Sequence, residues 1–459
     1  MGYIQEGLYK STIAKRHLQG AVWKRLYMAS FGVAILALIL LVLTIMNSAL
    51  GFVVLEYRIQ PETISERPLA ELNAEELVAV LQTEVPGQLI PLVAKYLANN
   101  MDVQVFADTP IEQSLAGKNY PAEYATTTPR DLSREERPLV MGQILASNLT
   151  ALQLNTIIEV AVLEADVVET YTLFDGLLNR AAIEQQIAED FPDEATRPEL
   201  QFHSWLNTSI FNESAGDNPL TSGIRTALLG TLYVLAIVII FGFPLGIMAA
   251  IYLEEYATKN WLNTVIENNI RNLAGVPSIV YGMLGLQLFV RALEPITSGA
   301  VFGFTGNGRT ILSAGLTMAL LVLPVVIINA QEAIRAVPKS YREASYGLGA
   351  TKWQTIWNQV LPAALPGIMT GTILSMSRAI GETAPLIVVG AATYIAQDPD
   401  GFFSKFTALP IQIFTWTTRP QPGFKELAAA AIIVLLILLV VLNLTAFILR
   451  DRARRSLQA

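Results

Sequence analysis

The stretch TGTILSMSRAIGETAPLIVVGA, residues 370–391, is apolar enough to lie in a bilayer, yet it carries Arg378 and Glu382 near its middle. An ionisable side chain at the centre of a membrane helix costs about 2.5–3.5 kcal/mol on insertion scales. Two in one span need a purpose. At spacing i,i+4 they share one helix face and can pair. Three residues past Glu382 stands Pro385, which has no N–H to offer the carbonyl of Gly381. Gly381 has no side chain and relieves the crowding there while that carbonyl finds another partner. A charge pair beside a broken helix ladder, with Thr383 next to it, reads as a polar pathway through a membrane.

The whole composition agrees. Of 459 residues, 52% are hydrophobic and only 15% are charged, which fits several membrane spans with a soluble portion. Cysteine is absent, so disulfides, thiol catalysis and thiolate metal sites are excluded. The two histidines, His17 and His203, are far apart in sequence. No histidine metal cluster is expected, and both are expected at the surface. No nucleophile motif and no His/Cys/Asp constellation appears, so no catalytic residues are assigned. The phosphate-binding pattern G-x-x-x-x-G-K-[ST] is also missing; Gly347, Gly349 and Lys352 have the wrong spacing for it.

Six apolar runs are long enough to span a bilayer: 29–55, 226–252, 274–293, 311–334, 367–396 and 427–449. The first follows a polar, basic leader at 1–28 and reads as a signal anchor, although Asn47-Ser48-Ala49 mimics a cleavage region. With the N-terminus inside, the inner segments collect Lys10, Lys15, Arg16, Lys24 and Arg25, then Lys259 and Arg271. They also hold Arg335, Lys339, Arg342 and Lys352, and finally Arg450, Arg452, Arg454 and Arg455. The short outer loops hold only Arg309, Lys405, Arg419 and Lys425. The positive-inside bias therefore places both termini in the cytoplasm.

Residues 56–222 form a soluble stretch with 27 acidic and nine basic residues, expected outside the cytoplasm. Helical patterns appear at 69–84, 88–100 and 178–190, and strand-like pieces at 102–107 and 157–173, which suggests an α+β domain. Its acidity reads as a solvated face or as a dock for a partner. Asn148, Asn207 and Asn212 head Asn-x-Ser/Thr sites within it. The remaining chain divides into a core at 223–450 with five spans and a tail at 451–459.

Between spans four and five lies the segment 337–362, VPKSYREASYGLGATKWQTIWNQVLP. It resembles the coupling motif of ABC-transporter permeases: Glu343, Ala344, Gly349, Leu361 and Pro362 fall at the matching positions. Ser345 stands where the motif has its second alanine, and Gln359 where it has isoleucine. In physical terms Glu343 begins a short amphipathic helix, Gly349 permits a left-handed turn, and Pro362 restarts the chain into span five. Three further pieces extend the likeness: Phe243 to Tyr256, Asn272 to Gly282, and Arg378 to Leu386. Together they resemble the PstA-type permeases of phosphate ABC importers over residues 220–450. The acidic stretch at 56–222 is a departure from the short form of that family.

The resemblance implies an all-α polytopic membrane protein, a type I ABC importer permease with six transmembrane helices plus an inserted α+β extracytoplasmic domain. It implies alternating access in a bacterial inner membrane, without nucleic acid. The partners it implies are a PstC-like second permease in a heterodimer, two PstB-like ATPase subunits carrying ATP and magnesium, and a PstS-like phosphate-binding protein outside. Gly242, Gly246, Gly282 and Gly285 then offer small faces for helix contact, and Pro324, Gly381 and Pro385 are kink or hinge positions. For Arg378 and Glu382 three roles stand open. They form a structural ion pair, or Arg378 meets the phosphate dianion with Glu382 holding it between cycles, or both couple to a secondary ion pair, Glu332 with Arg335, at the inner end of span four. Arg291 and Arg309 at the outer mouth either attract anions or anchor the interface. Two other functions remain: a permease for a related oxyanion, and a membrane receptor or sensor whose outer domain binds a ligand.

Overall fold

The structure, a computed structural model, describes residues 6–456 apart from 66, 194–196, 259, 304–306 and 392–394. Lys259, and residues 392–394 of the run expected at 367–396, therefore lie outside the described residues.

A single helix, Glu6–Ala49, leads the chain. At 1.5 Å per residue it is roughly 65 Å long, about twice the hydrocarbon thickness, so its basic first half projects beyond the apolar part. Its side chains are exposed from Arg16 to Thr44. The apolar run does not stay helical to residue 55. Leu50–Glu56 is strand β1, the middle of a three-stranded antiparallel sheet with β2 (Asp166–Thr172) and β3 (Glu199–Ser204). Gly51 faces Thr172 on one side and His203 on the other. A central strand covered on both faces is apolar throughout, which is why β1 looks like membrane helix in the sequence.

The helices at Ala74–Glu84, Leu89–Tyr96 and Arg180–Asp190 fall within the helical patterns. The strand expected at 102–107 is instead the helix Val103–Asp108. The Asp102 side chain accepts from the Gln104 and Val105 N–H groups, and this cap decides the local fold. Likewise 157–161 is the end of a helix, Ala151–Ala161, started by a Thr150–Gln153 capping box. Strand follows only from Asp166.

Helices Ala74–Glu84, Glu136–Asn148 and Ala151–Ala161 contribute Leu81, Ile144 and Ile158 to a core that includes Val53, and that core continues beyond the sheet unit. It runs on through Trp205 and Ile224 to Trp416, Phe424 and Ala430 of the last two apolar helices. The sheet unit is thus seated on its own chain. His203 lies edge-on to buried Trp205 at 4.5 Å, and burial pulls its pKa down to about 4. The expectation of a surface histidine holds for His17, which is exposed, and fails for His203.

Burial pushes the Glu159 carboxyl up to about 7, even though Asn155 Nδ2 donates to its Oε1 at 3.1 Å. The folded state then holds a proton that the unfolded chain releases near pH 4.5. Stability from this group is therefore present at low pH and declines as pH rises through about 4.5 to 7. Glu159→Gln is expected to raise the melting temperature at pH 8 and leave it nearly unchanged at pH 4.5. At roughly 2–4 °C per kcal/mol, the gain is a few degrees. Glu213, raised to about 7 by burial as well, keeps the remaining pH dependence. Thermal melting of the purified chain at both pH values checks this.

Among the described residues five helices are long and apolar enough to cross a membrane: Arg16–Ala49, Arg225–Tyr256, Ile311–Arg335, Lys352–Gly381 and Phe424–Arg452. The run expected as the third span, 274–293, is helical as Ser278–Ala292, and a sharp bend precedes it. Trp261–Ala274 meets Ser278–Ala292 at 107°, because Gly275 ends the first helix and Pro277, extended at φ −55° and ψ 137°, starts the second. Ile311–Arg335 sits centrally, with Met318, Val322 and Val326 buried against Ile237, Tyr281 and Ile380. It passes through buried Pro324 as one helix.

Candidate functional site

The charged span is broken rather than kinked. Helix Leu361–Gly381 ends where Glu382 turns extended, at φ −83° and ψ 114°. A second helix, Ala384–Val389, opens with Pro385 in its first turn. There the missing N–H leaves no intrahelical bond unmade. Pro385 therefore starts a helix instead of bending one. Gly381 does not relieve crowding either; a Cβ added to it would meet nothing within 4 Å. It borders open space. The short helix stops at Gly390, whose φ of +110° favours glycine.

Arg378 Nε lies 3.4 Å from Glu382 Oε1, and their side chains are 41% and 23% exposed. The pair thus faces outward from this chain at the helix break. Lipid cannot cover such a face cheaply; water or another polypeptide must. The rest of the broken span is held firmly. A Cβ on Gly282 would come within 2.8 Å of the Pro385 Cα, so only glycine allows helix Ser278–Ala292 this close to the second half-helix. Tyr281 Oη donates to the Leu273 carbonyl at 2.8 Å. Ser377 Oγ donates to Asn443 Oδ1 at 2.8 Å, and Arg450 Nη1 to Thr370 Oγ1 at 3.3 Å, tying the span to the last helix. Thr383 precedes the second half-helix, half-buried.

At the end of the bundle away from the sheet, Lys339–Gly347 forms a short helix. Gly349 turns the chain with φ +81°, and the Thr351–Gln354 capping box starts the next helix. That helix is continuous from Lys352 to Gly381, so Pro362 restarts nothing. A π-helical turn, Ile356–Val360, directly precedes it and widens the ladder where its N–H is missing. Glu343, Ala344 and Gly349 are exposed, and Leu348 is 90% exposed. Tyr341, Ala344, Leu348, Gly349, Gln354 and Asn358 line a groove of about 750 Å³. Leu361 packs inward beside Ala250, Ile334 and Val360, joining this segment to the bundle.

Charges hold the segment in place. Arg342 Nη2 is 2.6 Å from Glu255 Oε1 and also donates to the Ile334 carbonyl at 3.0 Å; its Nη1 donates to the Val337 carbonyl at 2.9 Å. Arg335 pairs with Glu254, Nη2 to Oε2 at 2.8 Å and Nε to Oε1 at 3.1 Å, and stands 3.8 Å from Glu267. The expected partner Glu332 gives way to Glu254. Glu332 sits one turn back on the same helix, whereas Glu254 reaches across to make two bonds in the fork geometry an arginine prefers. Neither Glu332 nor Arg335 pairs with Arg378 or Glu382, among the described residues. Glu254 and Glu255 are functional candidates that the sequence reading passed over. Two adjacent carboxylates ending an apolar run, opposite an arginine-rich inner segment, were the available signal.

At the other end, Arg225 Nε pairs with Asp398 Oδ2 at 2.8 Å, and Asp398 also accepts from Thr226 and receives its backbone cap from Asn99. Arg291 bonds to Gln287 at 3.3 Å. Arg309 packs across Gly390 and lines a cavity of about 490 Å³ with Asp398, Asp400 and Lys405. Among the described residues no group of three or more His, Cys, Asp or Glu side chains could hold a metal.

Residues 242–457 match the family model of binding-protein-dependent transport system inner membrane components. The chain is 38% identical over 235 residues to the phosphate transport system permease protein PstA 1 of Mycobacterium tuberculosis (strain CDC 1551 / Oshkosh), across 51% of this chain and 72% of that one. The chain belongs to the PstA-type permeases. It is accordingly a membrane translocation subunit of an ABC importer. A phosphate transport system permease protein PstC, of Pasteurella multocida (strain Pm70), is 31% identical over 235 residues, across 47% of this chain and 72% of that one. Superposition on solved transporters is loose. For the inward-facing MetNI methionine ABC transporter the TM-score is 0.38 at 17% identity, over 50% of this chain and 97% of that one. Membership rests on the sequence relatives. The family model begins at residue 242, so the sheet unit lies outside it.

Proposed function

We propose that this chain forms one half of the membrane pathway of an ATP-driven phosphate importer. The observation that carries this reading is the Arg378–Glu382 pair, set at a helix break and facing outward from an otherwise apolar span. A second permease of the PstC type closes that face, and the path for the anion runs between the two. An arginine fork suits a phosphate dianion because it offers paired, charge-assisted hydrogen bonds. The adjacent carboxylate competes for the same fork, which keeps binding weak enough for release. The chain crosses the membrane six times, counting the bent pair and the broken span as one each, with both termini in the cytoplasm and the sheet unit outside. An extracytoplasmic protein delivers phosphate. Two ATPase subunits hold ATP and magnesium, and one of them receives this chain's coupling segment around Ala344, Leu348 and Gly349 and drives alternating access through Leu361 and Pro362.

The test is uptake of labelled phosphate by the assembled complex in proteoliposomes. Unlabelled phosphate in excess should suppress uptake, and sulfate at the same concentration should not. Equal suppression by sulfate would reassign the chain to a broader class of oxyanion.

A further inference from the structure

One helix of the sheet unit has no part in the pathway or the coupling groove. Leu173–Leu178 follows directly on β2, started by Thr172, whose side chain accepts from the Asp175 N–H. The Phe174 N–H donates to Asn47 Oδ1 at 2.8 Å, which ties its first turn to the end of the leading helix. Gly176 lies so close to the Phe52 ring that any Cβ there would overlap it. The helix is therefore fixed at the point where the chain leaves the membrane span and enters the sheet.

Apart from Asp175, whose carboxylate is bonded to the Thr172 hydroxyl, its outward face is apolar. Phe174, Leu177 and Leu178 are 55%, 62% and 80% exposed. Phe202 of β3, edge-on to Phe52 at 5.6 Å, adds a fourth side chain at 58%. Large apolar side chains grouped this way on the outside of a strongly acidic unit mark a contact surface. Its position says which contact. Leu43 and Met46 of the leading helix are also exposed, so the lipid-length apolar surface of that helix continues into this face. Arg180 follows at once, its guanidinium 6.0 Å from the Phe52 ring and its Nε 2.7 Å from Glu184 Oε1, with the arginine side chain still 57% exposed. An aromatic and leucine face with an exposed arginine at its edge is the composition that settles at the boundary between acyl chains and headgroups.

We propose that Leu173–Leu178 and Phe202 rest in the lipid leaflet on the sheet unit's side. Phe174, Leu177, Leu178 and Phe202 sit among the upper acyl chains and Arg180 among the phosphates. The sheet unit is then held at two places, on the bundle through its shared core and on the bilayer through this helix. This inference depends on the leading helix spanning the membrane and not on the transported anion.

The chain contains no cysteine, so a nitroxide can be placed at one chosen site. Leu178→Cys and Leu177→Cys change exposed side chains outside any core. Gln186→Cys, on the water-facing side of helix Arg180–Asp190, is the reference. The labelled chain is assembled with cysteine-free partner subunits in phospholipid nanodiscs and read by power-saturation EPR. Collisions with oxygen should exceed those with a water-soluble nickel chelate at residues 177 and 178, and the order should reverse at 186. Nickel exceeding oxygen at 177 and 178 would overturn the proposal, because the face would be in water. So would an immobilised label shielded from both, because a protein would cover it.

Discussion

Replacing Arg378 with alanine is expected to lower uptake by at least about tenfold while the complex still assembles. The substitution leaves Glu382 as a lone carboxylate at the helix break, which costs several kcal/mol where water is scarce, and each ~1.4 kcal/mol is a factor of ten. Glu382→Ala should be equally damaging, since it frees Arg378 to hold an anion without competition. The double variant separates the roles. If the 3.4 Å pair only fixes packing, removing both charges leaves neither orphaned, and uptake recovers toward the wild-type level. If Arg378 meets the anion, the double variant stays inactive. Uptake in proteoliposomes, with co-purification of the subunits as the assembly control, gives the result. Normal uptake by either single variant would sink the pathway reading.

The second large effect is expected at the coupling segment. Arg342→Ala should uncouple ATP hydrolysis from transport: basal hydrolysis persists, and phosphate uptake per ATP falls severalfold or more. Arg342 joins the short helix Lys339–Gly347 to the end of the span Arg225–Tyr256, through Glu255, to the end of Ile311–Arg335, through the Ile334 carbonyl, and to the Val337 carbonyl just past it. Its side chain is 18% exposed and that of Glu255 8%. Breaking a buried pair by removing one partner costs about 3–5 kcal/mol, and the partly exposed arginine puts this pair toward the lower end. Without the joint, motion imposed on the exposed Leu348 end can be absorbed by the helix swinging instead of moving the spans. Glu255→Gln, which keeps one hydrogen bond, should lose less. Parallel measurement of hydrolysis and uptake decides it, and a wild-type ratio in Arg342→Ala would refute the role.

The two predictions differ in how visible their residues are in the sequence. Arg378 and Glu382 stand out because their surroundings are apolar and their spacing is that of one helical turn; both facts are local. The coupling segment is visible for the same reason. A glycine that must adopt φ +81° and a Thr–Gln capping box are decided within a few residues of chain. Glu255 is different. Two adjacent carboxylates at the end of an apolar run mark Tyr252–Tyr256 as a candidate, but nothing near them says which arginines, some eighty residues later, each will meet. Glu332 was the nearer choice, and fork geometry across a helix interface overruled nearness.

Taken alone, the sequence determined that this chain enters a membrane several times, that one span is charged, and that an amphipathic turn joins spans four and five. Span length, helix periodicity and the cost of burying charge act within a single segment, and composition reports them. Only the tertiary structure decided that Leu50–Leu55 is strand and not membrane helix, because an apolar run is equally suited to lipid and to the middle of a covered sheet. It also decided that Pro385 begins a helix, that Arg335 chooses Glu254, and that the sheet unit shares a core with Trp416 and Phe424. Each of these depends on which distant surface arrives to satisfy a backbone group, a charge or an apolar face, and that competition is settled only when the whole chain packs.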